Sequence, residues 1–302
     1  MKRFLLLLLP LIFLSGCAPH APKDAGDKLT IVATLFPQYD FAREICKNTA
    51  DVHLLLPPGT DSHSYDPTPK DMLLLQSADL ILYTGAAMEP WAETLIQNVQ
   101  GKALDVSEGV KLLSGSDIHE SHVHEDAVAA TDPHIWTDPQ NAILMAENIY
   151  EAVSALCPER APFFAENFSV YKNKLENLDA AFEQLIASAS RKHIIFGGHF
   201  AMRYFTTRYG LTYTAAFDSC SGEAEPSPAH LLHIIETMKK EDIKAVYYEE
   251  LSTPKTAFLI AEETGASALL LHSCHTLSND EAGETYLTLM QKNLENLKIG
   301  LE

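Results

Sequence analysis

Two hydrophobic patterns alternate along the chain. Leu29 to Leu35, Val52 to Leu56 and Ala78 to Tyr83 are short apolar runs, which predict buried strands. Between and after them, Tyr39 to Cys46, Pro69 to Gln76 and Trp91 to Val99 predict helices, with Pro69 at a first-turn position where its missing N–H costs nothing. Pro57-Pro58-Gly59 is a hard turn. Strand and helix at this spacing predict an α/β lobe with a mainly parallel sheet. Residues 159–189 break the rhythm. Phe164, Phe168, Tyr171, Leu175, Leu178, Phe182 and Leu185 recur at steps of four and three, one apolar stripe on one long helix. At 1.5 Å per residue it would be about 46 Å long and could act as a rigid strut. The first pattern then returns, with strands at His193–Phe196, Leu211–Ala216, Ala245–Tyr248 and Ser267–Leu271 and helices at Pro228–Glu241, Thr256–Gly265 and Thr285–Leu297. The expected architecture is two α/β lobes, 29–158 and 191–302, joined by a linker helix over 159–190.

The chain's start reads differently. Lys2 and Arg3 precede an apolar run, Phe4 to Leu14, too short to span a bilayer as a folded helix. It ends Leu14-Ser15-Gly16-Cys17, which resembles the bacterial lipobox. That resemblance implies a signal peptide over residues 1–16, acylation of Cys17 and a tether over residues 17–28. The expected location is extracytoplasmic, lipid-anchored to the membrane of a bacterium. An exported protein with four further cysteines invites disulfides. One bridge per lobe, Cys46–Cys157 and Cys220–Cys274, is the simplest of three pairings; buried free thiols are the alternative.

Composition adds two constraints. Of 302 residues, 46% are hydrophobic, enough for real cores. The net charge of −19 repels phosphate backbones, so nucleic acid is not an expected partner. Nothing points to an oligomer, and a monomer is expected.

The chemistry lies in histidines where strands meet loops. His63 follows the strand at 52–56; His134 sits in Asp132-Pro-His-Ile-Trp-Thr-Asp-Pro139; His199 and His272 directly follow strands. Ligands of open α/β sheets bind beyond the carboxyl ends of strands, so two histidines per half can converge in one cleft. Imidazoles suit Zn²⁺, whereas carboxylates would suit Mn²⁺ better. Nearby aspartates can orient the rings. Trp136 and Tyr65 are expected in the cleft wall. Glu249 and Glu250, at a strand end on the same edge, are either supports of the ligands or exposed termini. His119, His122 and His124 lie in an acidic, apolar-poor stretch over residues 116–126, an exposed loop suited to weak metal capture or simply to solvation.

Several of these segments, in order, resemble one family. Pro57 to Pro69, Asp132 to Pro139, Gly198 to Phe205, Ser219 to Ser227 and Thr285 to Asn293 resemble motifs of the cluster A-I metal-binding proteins, the ZnuA/TroA-like solute-binding components of zinc and manganese ABC transporters. The resemblance implies two α/β lobes on one long helix, an ABC permease and its ATPase as partners, and His63, His134 and His199 as ligands. Histidine at the third position implies zinc, carried as cargo. The fourth ligand is expected to be His272, with His275 in reserve and water or a nearby carboxylate as further alternatives; Cys220–Cys274 would brace that loop. Manganese or another divalent ion, or an adhesin role, is the alternative within the family. A secreted zinc enzyme is disfavoured, since no H-E-x-x-H helix and no serine-nucleophile elbow is present.

Overall fold

A computed structural model describes residues 28–302 except 64, 98, 100, 115–130, 218–225 and 252. The leader and tether with Cys17, the loop with His119, His122 and His124, and Cys220 therefore lie outside the described residues.

Two parallel sheets of four strands share one topology. The first holds β1 (Leu29–Ala33), β2 (Ala50–Leu54), β3 (Leu80–Tyr83) and β4 (Lys102–Asp105) in the order β2-β1-β3-β4. The second holds β5 (His193–Phe196), β6 (Thr212–Ala215), β7 (Ala245–Tyr248) and β8 (Ser267–Leu270) in the order β6-β5-β7-β8. All pairings are parallel. Each sheet puts its first strand beside its third, so the connections leave to opposite sides and open a crevice at the strand ends. β1 is central and its Ile31, Val32 and Ala33 are wholly buried, as expected of a parallel strand covered on both faces.

The helices are α1 (Phe36–Cys46), α2 (Pro69–Ser77), α3 (Pro90–Ile96), α4 (Pro139–Leu156), α5 (Ala161–Ser188), α6 (Arg203–Tyr209), α7 (Pro228–Glu241), α8 (Lys255–Thr264) and α9 (Tyr286–Leu301). Several starts are chemically marked. Thr68 caps α2, Asp138 caps α4 and Ser227 caps α7, each followed by proline at the first helical position. α8 stops at Gly265 in the left-handed conformation (φ 74°), which a side chain would disfavour. The long helix α5 buries Phe164, Phe168, Tyr171, Leu175, Leu178, Phe182 and Ile186, nearly the stripe read from the sequence. It packs on α1, α4, α6 and α9, and so touches both halves. The main apolar core runs without a break from the first sheet through α4, α5 and α9 into the second sheet. Each fully buried large side chain contributes roughly 1.5–3 kcal/mol, so this shared core resists separation of the lobes.

Polar contacts stitch the same seam. Asp179 on α5 accepts from Gln140 of α4 (2.8 Å), from Tyr209 (2.7 Å) and from Arg208 Nε of α6 (2.6 Å). Tyr286 donates its hydroxyl to the Trp136 carbonyl (2.6 Å) and its N–H to Asp40 (3.0 Å). Among the described residues no helix is long and apolar enough to cross a membrane.

Three expectations need correction here. α4 and the short α6 and β4 are not in the sequence reading. α4 buries many small side chains (Ala142, Ala146 and Ala152 beside Ile143, Ile149 and Val153), which weakens its apolar signal. The expected Cys46–Cys157 bridge is not formed, and Cys220 of the other expected bridge lies outside the described residues. Cys46, Cys157 and Cys274 are buried free thiols. Cys157 turns its thiol to Glu159 Oε1 (2.8 Å), and Cys46 sits in the core, where burial pushes its pKa up to about 12. Cys274 is likewise enclosed, and burial raises its pKa well above the ordinary range.

Candidate metal centre

Four imidazoles meet where the crevices of the two sheets face each other. Ring centroids are 5.8 Å apart for His63 and His134, 6.1 Å for His63 and His275, 5.9 Å for His134 and His199, and 6.0 Å for His134 and His275. Two come from each half of the chain.

Each ring arrives on a differently built segment. His63 ends the turn that begins with Pro57 after β2, and its backbone N–H is held by Asp61 Oδ1 (3.0 Å). Trp91 reaches across from α3 and donates to the Ser62 carbonyl (3.0 Å), which fixes the turn beneath the ring. His134 precedes a 3-10 turn (Ile135–Thr137). Asp132 Oδ1 accepts its N–H (2.9 Å) and faces its Nδ1 (3.0 Å). His199 follows β5 through Gly197-Gly198. A Cβ on Gly197 would lie 2.5 Å from Ala257 Cα, so only glycine lets β5 pass α8 this closely. His199 Nδ1 lies 2.9 Å from Glu249 Oε1 at the end of β7. His275 follows β8, and its Nε2 meets the Ser62 hydroxyl (2.9 Å) and N–H (3.4 Å) of the opposite lobe.

The electrostatics favour neutral rings at His63 and His275. Burial pushes the His63 pKa down, and the neighbouring His134 adds to the effect while Asp61 opposes it. Burial pushes His275 well below its ordinary value, reinforced by His134, His63 and His199. Neutral imidazole is the form that ligates metal. Asp132 and Glu249, each against an Nδ1, draw a proton to that nitrogen and leave Nε2 as the lone pair. Among the described residues His63 Nε2 is buried without a hydrogen-bond partner, which costs about 1–3 kcal/mol unless a further group satisfies it. Trp136, wholly buried, walls the group with its ring 5.7 Å from His134 and 5.8 Å from His275. Tyr65 stands farther along, against Trp91 (5.5 Å) and Asp71.

The donor set fits a divalent ion that prefers nitrogen, such as Zn²⁺. Four imidazoles on one tetrahedral zinc would have centroids about 5 Å apart, given Zn–N bonds of about 2 Å. The rings here are several tenths of an ångström wider. Among the described residues no three His, Cys, Asp or Glu side chains already stand close enough together to hold an ion.

His272 is not in this group, contrary to its first place in the sequence reading. It is buried with its ring between two carboxylates, Nδ1 3.5 Å from Glu250 and Nε2 3.3 Å from Glu281. The loop after β8 runs past it before turning His275 to the crevice, a turn made by Cys274 at φ 61°. A positive φ at a non-glycine residue leaves no clear trace in sequence. Glu249 and Asp132 support rings, and Glu250 holds the loop.

Comparison with known proteins bears on the family and the fold. Residues 31–300 match the family model described as "Zinc-uptake complex component A periplasmic". The chain is 33% identical to the zinc-binding lipoprotein AdcA of Streptococcus pneumoniae R6, over 99% of this chain but 61% of that protein. It therefore spans about three-fifths of the length of that relative. It is 34% identical to the high-affinity zinc uptake system protein ZnuA of Bacillus subtilis 168, over 96% of this chain and 94% of that one. The Zn(II)-bound ZnuA-like domain of S. pneumoniae AdcA superposes with a TM-score of 0.77 at 32% identity, covering 91% of this chain and 99% of that domain. The metal-dependent lipoprotein YcdH of B. subtilis gives 0.78 at 31% identity, with the same coverage.

Proposed function

The chain belongs to the ZnuA family of zinc-uptake components, and on that premise we propose that it captures Zn²⁺ between its lobes and delivers it to an ABC permease driven by its ATPase. His63, His134, His199 and His275 are the ligands in this reading. The observation that carries it is the convergence of four rings, two from each half and with His134 and His275 fully buried, around a His63 Nε2 that has no hydrogen-bond partner among the described residues.

The ion is cargo. On entry it takes the lone pair of His63 and draws the four rings inward by several tenths of an ångström. His275 exchanges its Ser62 contact for the metal, so the 57–63 turn and the 273–275 loop respond together. Asp132 and Glu249 hold their rings throughout and make the nitrogens better donors. A binding protein fits better than an enzyme, because Asp132 and Glu249, two carboxylates beside the rings, are engaged with Nδ1 atoms. We further read Cys17 as a lipid anchor, the chain as an extracytoplasmic monomer, and His119, His122 and His124 as a weak collecting site that passes zinc inward.

The test uses residues 18–302, stripped of metal and titrated calorimetrically with Zn²⁺ and Mn²⁺. Tight zinc binding near one equivalent, lost in His63→Ala, is the expected result, with a second weaker event from the histidine loop. No tight zinc binding, or a preference for Mn²⁺, would overturn the reading.

A further inference from the structure

The loop that presents His275 is held by side chains at three successive backbone N–H groups. Glu250, buried at the end of β7, accepts from Ser273 N–H (2.8 Å), from the Ser273 hydroxyl (2.7 Å) and from His275 N–H (3.0 Å). The N–H between them, that of Cys274, donates to His272 Nδ1 (2.9 Å). Asn293 of α9 brackets His272 from behind, accepting its N–H and donating to its carbonyl, both at 2.7 Å.

Accepting at Nδ1 fixes the ring's proton on Nε2, and Nε2 faces both oxygens of Glu281, 3.3 and 3.4 Å away. Glu281 belongs to a 3-10 turn near the surface (Asn279–Glu281), where it also accepts the Ser278 N–H (2.8 Å). The stretch between is pinned to the other lobe, since Gly59 N–H donates to the Leu277 carbonyl (2.9 Å) and the Thr276 hydroxyl (3.1 Å). One connected path thus runs from a partly exposed carboxylate to the left-handed residue beside a crevice histidine.

We propose that Glu281 is a positioning residue for the fourth ligand, acting through His272 and the Cys274 N–H on the backbone that presents His275. The role rests on the reading of His275 as a ligand. Cys274 is held at a φ that a side chain disfavours, and the conformation persists only while its neighbours over-determine it. Removing Glu281 leaves a buried ring N–H without a partner. The ring then turns to find one, Cys274 N–H is released and the His275 ring drifts from its place. Ligand sites lose function on displacements well below 1 Å.

The experiment is a double-mutant cycle on metal-stripped protein, with zinc affinity read by chelator competition and apo melting temperature read alongside. Glu281→Ala is expected to weaken zinc about tenfold, mainly through faster release. In a His275→Ala background the same change is expected to have less than about a twofold effect, because the group it positions is gone. Glu281→Gln, which still offers an oxygen to Nε2–H, is expected to recover most of the affinity. Equal losses in both backgrounds would mean a general effect on the lobe and would overturn the role. So would an unchanged affinity in Glu281→Ala when the native protein binds tightly. A native protein that takes up no zinc would overturn the proposed function and this role together.

Discussion

Glu249 Oε1 stands 2.9 Å from His199 Nδ1, and the carboxylate is more buried than the ring it holds. The relationship ties β7 to the loop after β5, so neighbouring strands fix the orientation of one crevice histidine. Glu249→Ala frees the ring to rotate and removes the charge that makes Nε2 a better donor. Zinc affinity is expected to fall about 10- to 100-fold with the fold intact. Chelator competition beside far-ultraviolet circular dichroism checks it; unchanged affinity would show that the carboxylate only closes the crevice.

His275 and His272 can be told apart by size of effect. His275→Ala removes a donor and is expected to weaken zinc by at least about 100-fold. His272→Ala removes only support for the Cys274 N–H, and about tenfold is expected. Calorimetry of the two variants side by side decides. A larger loss in His272→Ala would restore the sequence-derived choice.

That choice shows where sequence reading stops. The periodic strands and helices, the long apolar stripe of α5, and His63, His134 and His199 in turns after strands were legible, because period, proline and glycine are written locally. The position just beyond a strand favoured His272. What brings His275, three residues on, to the crevice is a non-glycine residue at positive φ, in a loop held by Glu250 after β7 and Asn293 of α9. Such support depends on tertiary neighbours far away in the chain. The Cys46–Cys157 pairing failed similarly. An even count outside the cytosol argues for bridges, but Cys157 faces Glu159 and Cys46 faces the core. α4 was missed because alanines make its buried face weakly apolar.

Asp179 is the polar clasp of the two halves. Its carboxylate serves Gln140 on one side and Arg208 and Tyr209 on the other. Burial works against its charge, but Arg208, Tyr209 and Gln140 outweigh it and hold the pKa low. Asp179→Ala takes this carboxylate from Gln140 and Tyr209 and one of three acidic neighbours from Arg208. Arg208 is partly exposed and keeps Asp138 (3.4 Å) and Glu183 (3.2 Å), so the loss should fall below that of a fully buried pair, at about 2–3 kcal/mol. The apo melting temperature is expected to drop by roughly 3–5 °C. A shift under 2 °C, taken as a rough floor for a lost buried contact, would mean the shared apolar core alone holds the seam.

Glu89 makes the last prediction, and its sign follows from proton counting. The residue is wholly buried where α3 begins, beside Met88 and close to Trp91, both of which touch Ser62. Its Oε2 accepts Thr84 N–H (2.6 Å) and its Oε1 meets the Thr34 hydroxyl. That hydroxyl also faces Gln38 Oε1 (3.0 Å) and the Leu82 carbonyl (3.1 Å). One hydroxyl proton cannot serve three oxygens, whereas a protonated Glu89 supplies a second. Burial, opposed by the Thr34 and Thr84 hydrogen bonds, raises its pKa to about 8. An unfolded glutamate titrates near 4.3, so between about pH 4.3 and 8 the folded state holds the extra proton. Stability from this group is complete below that window and is lost as pH rises through it. Glu89→Gln keeps a donor toward Thr34 and an acceptor for Thr84 without a titrating proton. The variant is expected to be more stable than the native chain at pH 8, by about 4–5 kcal/mol, with the gain shrinking towards zero near pH 4.5. Melting curves of both metal-free proteins at pH 4.5, 6 and 8 read this directly. A variant less stable by the same amount at every pH would mean that Glu89 is ionised in the fold and that the carboxylate itself is what Thr34 and Thr84 hold.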